Sequence, residues 1–329
     1  MIRWGILSTA KIAREHVIPA ILEAKGATLT AIGSRDLNKA KDLAGHFGAP
    51  LSFGSYEDLL SSKDIDAVYI PTPTSSHIEW SIKSAKAGKH VLCEKPIALK
   101  SSELDELINI ESKVNVLISE AFMVTYHPQW LMVKKLLNND RIGTLRHVQG
   151  AFTYFNKDPL NMRNQLALGG GGLPDIGVYP IVTTRFSTQK EPHSVISTVK
   201  YDKQFKTDIF ASAQVQFDNF DLSFYCSTQM SLRQHMSFHG ENGRVEVHAP
   251  FNARVYGHAS VTLHSQDNTK IEEFKFGEIN QYKLQIEKFS EAIQTGLRED
   301  IFSLRASKNN QKVIDAIYNS NKTKSTAKV

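Results

Sequence analysis

Ile2-Arg3-Trp4-Gly5-Ile6-Leu7-Ser8-Thr9-Ala10-Lys11-Ile12-Ala13 begins with six residues that read as a buried strand and turns through small residues into a helical pattern. That strand–turn–helix order decides the fold. The helix, expected over 12–24, turns Ile12, Val17, Ile18, Ile21 and Leu22 inward at helical spacing. Free N–H groups and the helix dipole at such an N-terminus favour an anion, and a dinucleotide pyrophosphate fits there. Ser8, Thr9, Ala10, Lys11 and Ile12 are then the candidate contacts. Read against G-x-G-x-x-G, positions 8, 10 and 13 hold Ser, Ala and Ala, small but none of them glycine. On this stretch alone, a strand–turn–helix without a ligand stays open.

The pattern repeats outward. Strands are expected at 28–33, 67–70, 90–93 and 115–118, with helices at 37–47, 78–87 and 99–111 between them. Short apolar runs alternating with amphipathic stretches predict a doubly wound parallel sheet, a Rossmann domain over 1–122. Beyond about residue 145 the period becomes two: Ile209, Ala211, Ala213, Val215 and Phe217, then Phe220, Leu222, Phe224 and Cys226. Further strands at 245–247, 260–264 and 271–276 and closing helices at 280–295 and 303–319 complete an α+β domain over 123–329. Its large open sheet should be mostly antiparallel.

In a doubly wound sheet ligands lie at the carboxyl ends of the strands. The second strand ends in Ser34-Arg35-Asp36, at the distance where the adenosine ribose is read. An Arg fork there, with a hydroxyl beside it and Lys39 one turn on, suits a 2′-phosphate and predicts NADP(H) over NAD(H). Asp36 keeps a ribose contact open, and Arg35 as an ordinary surface charge is the other alternative. The third strand runs into Pro71-Thr72-Pro73-Thr74, a rigid hydroxyl-bearing loop for the nicotinamide side, followed by His77 as either a contact or a helix-start structural group. The fourth ends in Cys93-Glu94-Lys95-Pro96, which aims Lys95 into the cleft with Glu94 and Pro96 beside it.

The 329 residues are 41% hydrophobic and 22% charged, an ordinary globular composition with room for two cores. The formal charge of +5 suits anionic small molecules, and no basic block is dense enough for nucleic acid. Cys93 and Cys226 stand alone, with no metal-ligand spacing, and no metal is expected. No leader or membrane-length apolar run is read, so a cytoplasmic protein with no membrane partner is expected.

Together the turn from Gly5 to Ala13, Ser34-Arg35, Pro73 with His77, Glu94-Lys95-Pro96 and Gly169-Gly170-Gly171-Gly172-Leu173-Pro174-Asp175-Ile176-Gly177-Val178-Tyr179-Pro180 resemble the glucose-fructose oxidoreductase/inositol dehydrogenase (Gfo/Idh/MocA) family. The small residues of the first turn and Tyr179 in place of His look most like its dihydrodiol dehydrogenase and NADP-dependent xylose dehydrogenase branch. The resemblance implies a helix that carries Asp175 and Tyr179 into the active site; four residues apart, both lie on one face. It also implies a homodimer or dimer of dimers through the open sheet.

Hydride transfer at a carbinol carbon of a sugar, cyclic polyol or dihydrodiol needs a proton carrier and donors for the developing oxyanion. A free phenol titrates near pH 10, and an ammonium beside it lowers that value. Tyr179 is the expected acid/base and Lys95 its partner; the reverse assignment stays open because coupled groups share their titration. Asp175 either orients a second substrate hydroxyl, holds Lys95, or caps the helix. Arg163 and Tyr126 are further candidate substrate contacts. The competing readings are a non-catalytic NADP-binding sensor or scaffold and a nucleotide-sugar dehydrogenase or ketoreductase of the same fold.

Overall fold

A computed structural model describes residues 1–329, which form two compact units. The first comprises Met1–Met123 and Asn280–Lys308, the second Val124–Ile279 and Asn309–Val329. The first unit thus takes in, besides a stretch close to the expected 1–122, a segment to which the chain returns near its end. No helix is long and apolar enough to cross a membrane.

The first unit holds β1 (Ile2–Leu7), β2 (Ala27–Gly33), β3 (Leu51–Phe53), β4 (Ala67–Ile70), β5 (His90–Cys93) and β6 (Ile118–Glu120). They pair in parallel in the order β3-β2-β1-β4-β5-β6, the Rossmann order, with its switch point between β1 and β4. Every residue of β4 is buried, as expected for strands covered on both faces. Between the strands lie α1 (Ile18–Glu23), α2 (Leu37–Phe47), α3 (Tyr56–Ser61), α4 (His77–Lys86) and α5 (Leu104–Glu111).

Several local expectations shift. A π-helical turn at Ala13–Val17 precedes α1, and Leu22, expected inward, is 54% exposed. The short β3 and α3 carry too few residues to show a period. The strand expected at 115–118 forms at Ile118–Glu120, in register with Val91–Cys93. The helix expected from 99 starts at Leu104, because the Glu103 carboxylate accepts from Leu99 N and Lys100 N at 2.8 Å and holds them in a turn.

The returning segment carries α8 (Gln281–Thr295), an amphipathic helix capped by Asn280. Ile286, Phe289 and Ala292 join Trp4, Ile6, Ile18 and Ile21 in one buried cluster. The Trp4 indole donates to Ser290 Oγ at 3.2 Å. Burying that face, at roughly 1.5–3 kcal/mol per large apolar side chain, keeps α8 with the first unit.

The second unit is built on nine strands. They are β7 (Leu145–Phe155), β8 (Ser194–Tyr201), β9 (Asp208–Gln216), β10 (Asp221–Ser227), β11 (Gln229–Gly240), β12 (Gly243–Val247), β13 (Ser260–Ser265), β14 (Ile271–Lys275) and β15 (Ala327–Lys328). Their order is β14-β13-β12-β11-β7-β10-β9-β8-β15, antiparallel except for β7 against β10. Alternation places Ala211, Ala213, Val215, Leu222, Phe224 and Cys226 on the buried face. The unit also contains α6 (Pro128–Asn138), α7 (Val178–Thr188) and most of α9 (Leu304–Thr323). His127 caps α6 by accepting from Gln129 N at 3.1 Å; it is fully buried, and burial pushes its pKa down to about 4.

Candidate functional site

The first unit brings its candidate residues to the carboxyl ends of β1, β2, β4 and β5. After β1 the chain turns at Ser8, which takes φ = +144°, a backbone conformation that favours glycine. Its hydroxyl accepts from Ala10 N at 3.1 Å, and Thr9 and Ala10 lead into the helix. The turn thus has the shape the fingerprint glycines serve, with the serine hydroxyl bracing it. Lys11 is exposed and pairs with Glu15.

At the end of β2, Ser34 is buried and accepts from Asp36 N at 3.1 Å, while Arg35 is exposed. Asp36 caps α2, accepting from Asn38 N at 3.0 Å and Lys39 N at 3.3 Å. That commitment argues against the ribose contact left open for Asp36. Lys39 lies 4.0 Å from the same carboxylate.

Both ring nitrogens of His77 have backbone carbonyl partners. It is 1% exposed, and its ring nitrogens lie 2.8 Å from Pro96 O and 2.7 Å from Thr72 O. It ties the Pro71–Thr74 loop to the Lys95-Pro96 turn. Thr72 and Thr74 are themselves buried, and Thr72 Oγ1 accepts from Ser76 at 2.9 Å.

Glu94 accepts from the buried Tyr69 hydroxyl at 2.5 Å and from Lys95 N at 3.2 Å. Burial, reinforced by the Glu94 charge, holds the Tyr69 phenol well above its ordinary pKa. One strand over, Glu120 is 3% exposed and accepts from Ile97 N at 3.0 Å. Burial pushes Glu120 up to about 7, with Ser307 and Ile97 opposing and the Glu94 charge reinforcing. Lys95, half-buried before a cis-proline, therefore sits in a setting shaped by two carboxyls. Glu120 was not a sequence candidate: at the end of an apolar run it reads only as a strand terminus.

In the second unit the glycine run opens a π-helical turn, Leu173–Gly177, that continues into α7. Such turns recur at functional sites. A Cβ at Gly170 would come within 2.5 Å of the Met162 and Arg163 carbonyl oxygens, so only glycine lets that segment close in. The closure delivers Arg163, whose Nε donates to Asp175 Oδ2 at 2.7 Å. The Tyr154 hydroxyl donates to the same oxygen at 2.7 Å. Asp175 raises the pKa of the Arg163 guanidinium, and burial followed by the Asp175 charge raises that of the Tyr154 phenol. Asp175 is therefore not the helix cap; Gly172 holds that position.

Tyr179, one turn later, is 4% exposed and packs against Phe152 and Phe251 at centroid distances of 5.6 and 5.3 Å. Tyr126 is buried in the turn Met123–Tyr126. Tyr154, on β7, is the site residue that sequence reading missed, since nothing next to it in the chain marks its partner, Asp175, 21 residues on.

Residues 2–122 match the family model described as oxidoreductase family, NAD-binding Rossmann fold, and residues 130–246 match the GFO/IDH/MocA C-terminal domain. An uncharacterized oxidoreductase of Rhizobium meliloti is 39% identical over 97% of each chain. The chain belongs to the Gfo/Idh/MocA oxidoreductase family. The D-xylose 1-dehydrogenase (NADP(+)) 2 of Haloferax volcanii is 30% identical over 97% of each chain. Among solved structures, a 3-ketoreductase from Actinomadura kijaniata in complex with NADP and TDP-benzene superposes with a TM-score of 0.89. It is 28% identical over 97% of each chain.

Proposed function

We propose that the protein is an NADP-dependent oxidoreductase that interconverts a secondary hydroxyl and a carbonyl on a sugar, polyol or dihydrodiol. The observation that carries this reading is Asp175 and Tyr179 on one helix, with Asp175 fixed by Arg163 and Tyr154 at 2.7 Å. A fixed carboxylate one turn from a nearly buried phenol is a pre-oriented acceptor for one substrate hydroxyl beside a proton carrier for another.

The β1 turn at Ser8–Ile12 fits a pyrophosphate, since Ser8 already takes the fingerprint glycine's conformation. Exposed Arg35, beside Ser34, fits a 2′-phosphate. When bound, the nicotinamide accepts or supplies a hydride at the carbinol carbon. The chain's own residues do the rest. Tyr179 takes the hydroxyl proton during oxidation and returns it during reduction. Lys95 is assigned as its electrostatic partner, since an ammonium beside a phenol favours the phenolate and offsets oxyanion charge. Arg163 keeps Asp175 ionised and aimed.

The Actinomadura ketoreductase has been solved with one tyrosine replaced by phenylalanine and, separately, one lysine replaced by alanine, which supports attention to these two residue types. Its TDP-benzene ligand favours a second reading, in which the substrate is a nucleotide sugar. The same proposal includes a cytoplasmic protein that pairs through the exposed face of the nine-stranded sheet.

The test is nicotinamide absorbance with NADP+ or NADPH across aldoses, polyols, dihydrodiols and nucleotide-linked ketosugars. Turnover should vanish in Lys95→Ala and Tyr179→Phe while NADPH binding survives. Tight NADPH binding with no turnover on any panel member would instead make the protein a sensor.

A further inference from the structure

Asp208, at the start of β9, is a buried carboxylate that none of the proposed chemistry uses. It is 3% exposed, and one of its oxygens accepts from Leu173 N at 2.6 Å. The Gly172 N–H also bonds it, and the other oxygen accepts from the Tyr318 hydroxyl of α9 at 2.7 Å. Its partners are the first N–H groups of the helical segment that carries Asp175 and Tyr179. A helix start leaves those N–H groups unsatisfied, and an anion there is favoured. Within the segment no side chain caps it.

The glycine run is shaped around this carboxylate. Gly171 has φ = +144°, and a Cβ there would overlap Asp208 Oδ1. A chain that keeps a buried Asp against its main chain, at the cost of a glycine-only backbone, is placing that helix from outside. Gly170 performs the matching task for the Arg163 segment, so two neighbouring glycines admit the two anchors of one helix.

We infer that Asp208 is a positioning residue for the reaction: held by Tyr318, it caps the helix in trans and sets where Asp175 and Tyr179 stand. The inference rests on the functional reading above for its kinetic consequence only. Tyr318, Tyr201 and Cys226 face Asp208 from α9, β8 and β10, and each has its pKa raised in part by the Asp208 charge. Tyr179 interacts electrostatically with Arg163, which also faces Asp175 and the Tyr154 phenol. From Leu173 to Tyr179 a helix rises about 9 Å. A unit charge at that range moves a titration midpoint by about one pH unit at an effective dielectric near 20.

The test is Asp208→Asn in the full-length protein. With turnover on the panel above, kcat should fall between about 10- and 100-fold, the cost of a displaced catalytic group, while NADPH affinity stays within about twofold. Independently of turnover, the Tyr179 phenol can be followed by 13Cζ-tyrosine NMR, assigned through Tyr179→Phe. Its midpoint should move about one unit lower, because losing a nearby anion favours the phenolate. A variant that melts earlier but keeps the parent kcat and the parent midpoint would overturn the inference. Should Asp208→Asn not fold, Tyr318→Phe leaves the carboxylate in place with one anchor fewer. It should lower kcat at unchanged NADPH affinity, and a parent-like kcat would overturn the inference equally. If the parent protein turns over no panel member, the functional reading fails, and the NMR midpoint alone decides the cap.

Discussion

Replacing Gly171 with Ala tests the packing that holds the site helix, and the structure sets the size of the effect. At φ = +144° an L side chain meets a sparsely populated backbone region, which costs about 1–3 kcal/mol. The added methyl also overlaps Asp208 Oδ1, so that oxygen must give up the hydrogen bond it accepts from the Tyr318 hydroxyl. Losing a hydrogen bond to a charged group costs about 1.5–3 kcal/mol. The sum is about 2.5–6 kcal/mol. For a unit of this size each kcal/mol lowers the melting temperature by roughly 2–4 °C, so the drop should exceed about 5 °C. Gly172→Ala is the control. Its φ is −76° and the nearest atoms to a new methyl are 3.3 and 3.4 Å away, so about 1 kcal/mol or less is expected. Thermal melts of the two variants side by side, followed by near-ultraviolet circular dichroism, give the comparison. Equal melting temperatures would refute the argument that Asp208 and Gly171 are mutually fitted.

Arg35→Asp should abolish a preference for NADPH over NADH, costing about 10- to 100-fold in NADPH affinity by fluorescence titration; equal affinities in the parent would sink the 2′-phosphate assignment. His127, at about 4, binds fewer protons folded than unfolded. Its contribution is complete above about pH 6.5 and is lost, by roughly 3 kcal/mol, as pH falls toward 4. His127→Asn keeps a capping oxygen without the titration, so its urea midpoint should vary less between pH 7 and 4.5, and an unaltered slope counts against the cause. Glu120, raised to about 7, has the opposite sign: its contribution is complete below about pH 4.5 and lost, again by roughly 3 kcal/mol, as pH rises through 7. Glu120→Gln should therefore gain on the parent at pH 8 relative to pH 5 in the same urea series, and a constant difference would show that Glu120 does not titrate there.

The parallel sheet was legible because its signals are local: a buried strand shows four apolar residues in a row, as at Ala67–Ile70, and a helix shows its period within eleven, as at Leu37–Phe47. Candidate positions at strand ends followed from the same periodicity. Roles were less legible, because they depend on partners far along the chain. His77 next to a proline-rich loop reads equally as ligand or strut, and its two carbonyl partners, one of them nineteen residues away, leave no mark in that local pattern. Tyr154 meets Asp175 across 21 residues and Tyr318 meets Asp208 across 110. No periodicity encodes such pairings. The return of α8 was hidden for the same reason: Trp4 and Ser290 are 286 residues apart.

The helix cap, one of three roles the sequence left open for Asp175, shows how these distant contacts redistribute work. An Asp just inside a helix start would normally satisfy the free N–H groups there. Here the Gly172 and Leu173 N–H groups are already taken by Asp208 from another strand. Asp175 is thereby released from a structural duty and turns to Arg163 and Tyr154. One carboxylate holds the helix and a second is left paired with Arg163 one turn from Tyr179. Removing the first should therefore draw Asp175 back toward the bare N–H groups and cost the site its aim before it costs the fold.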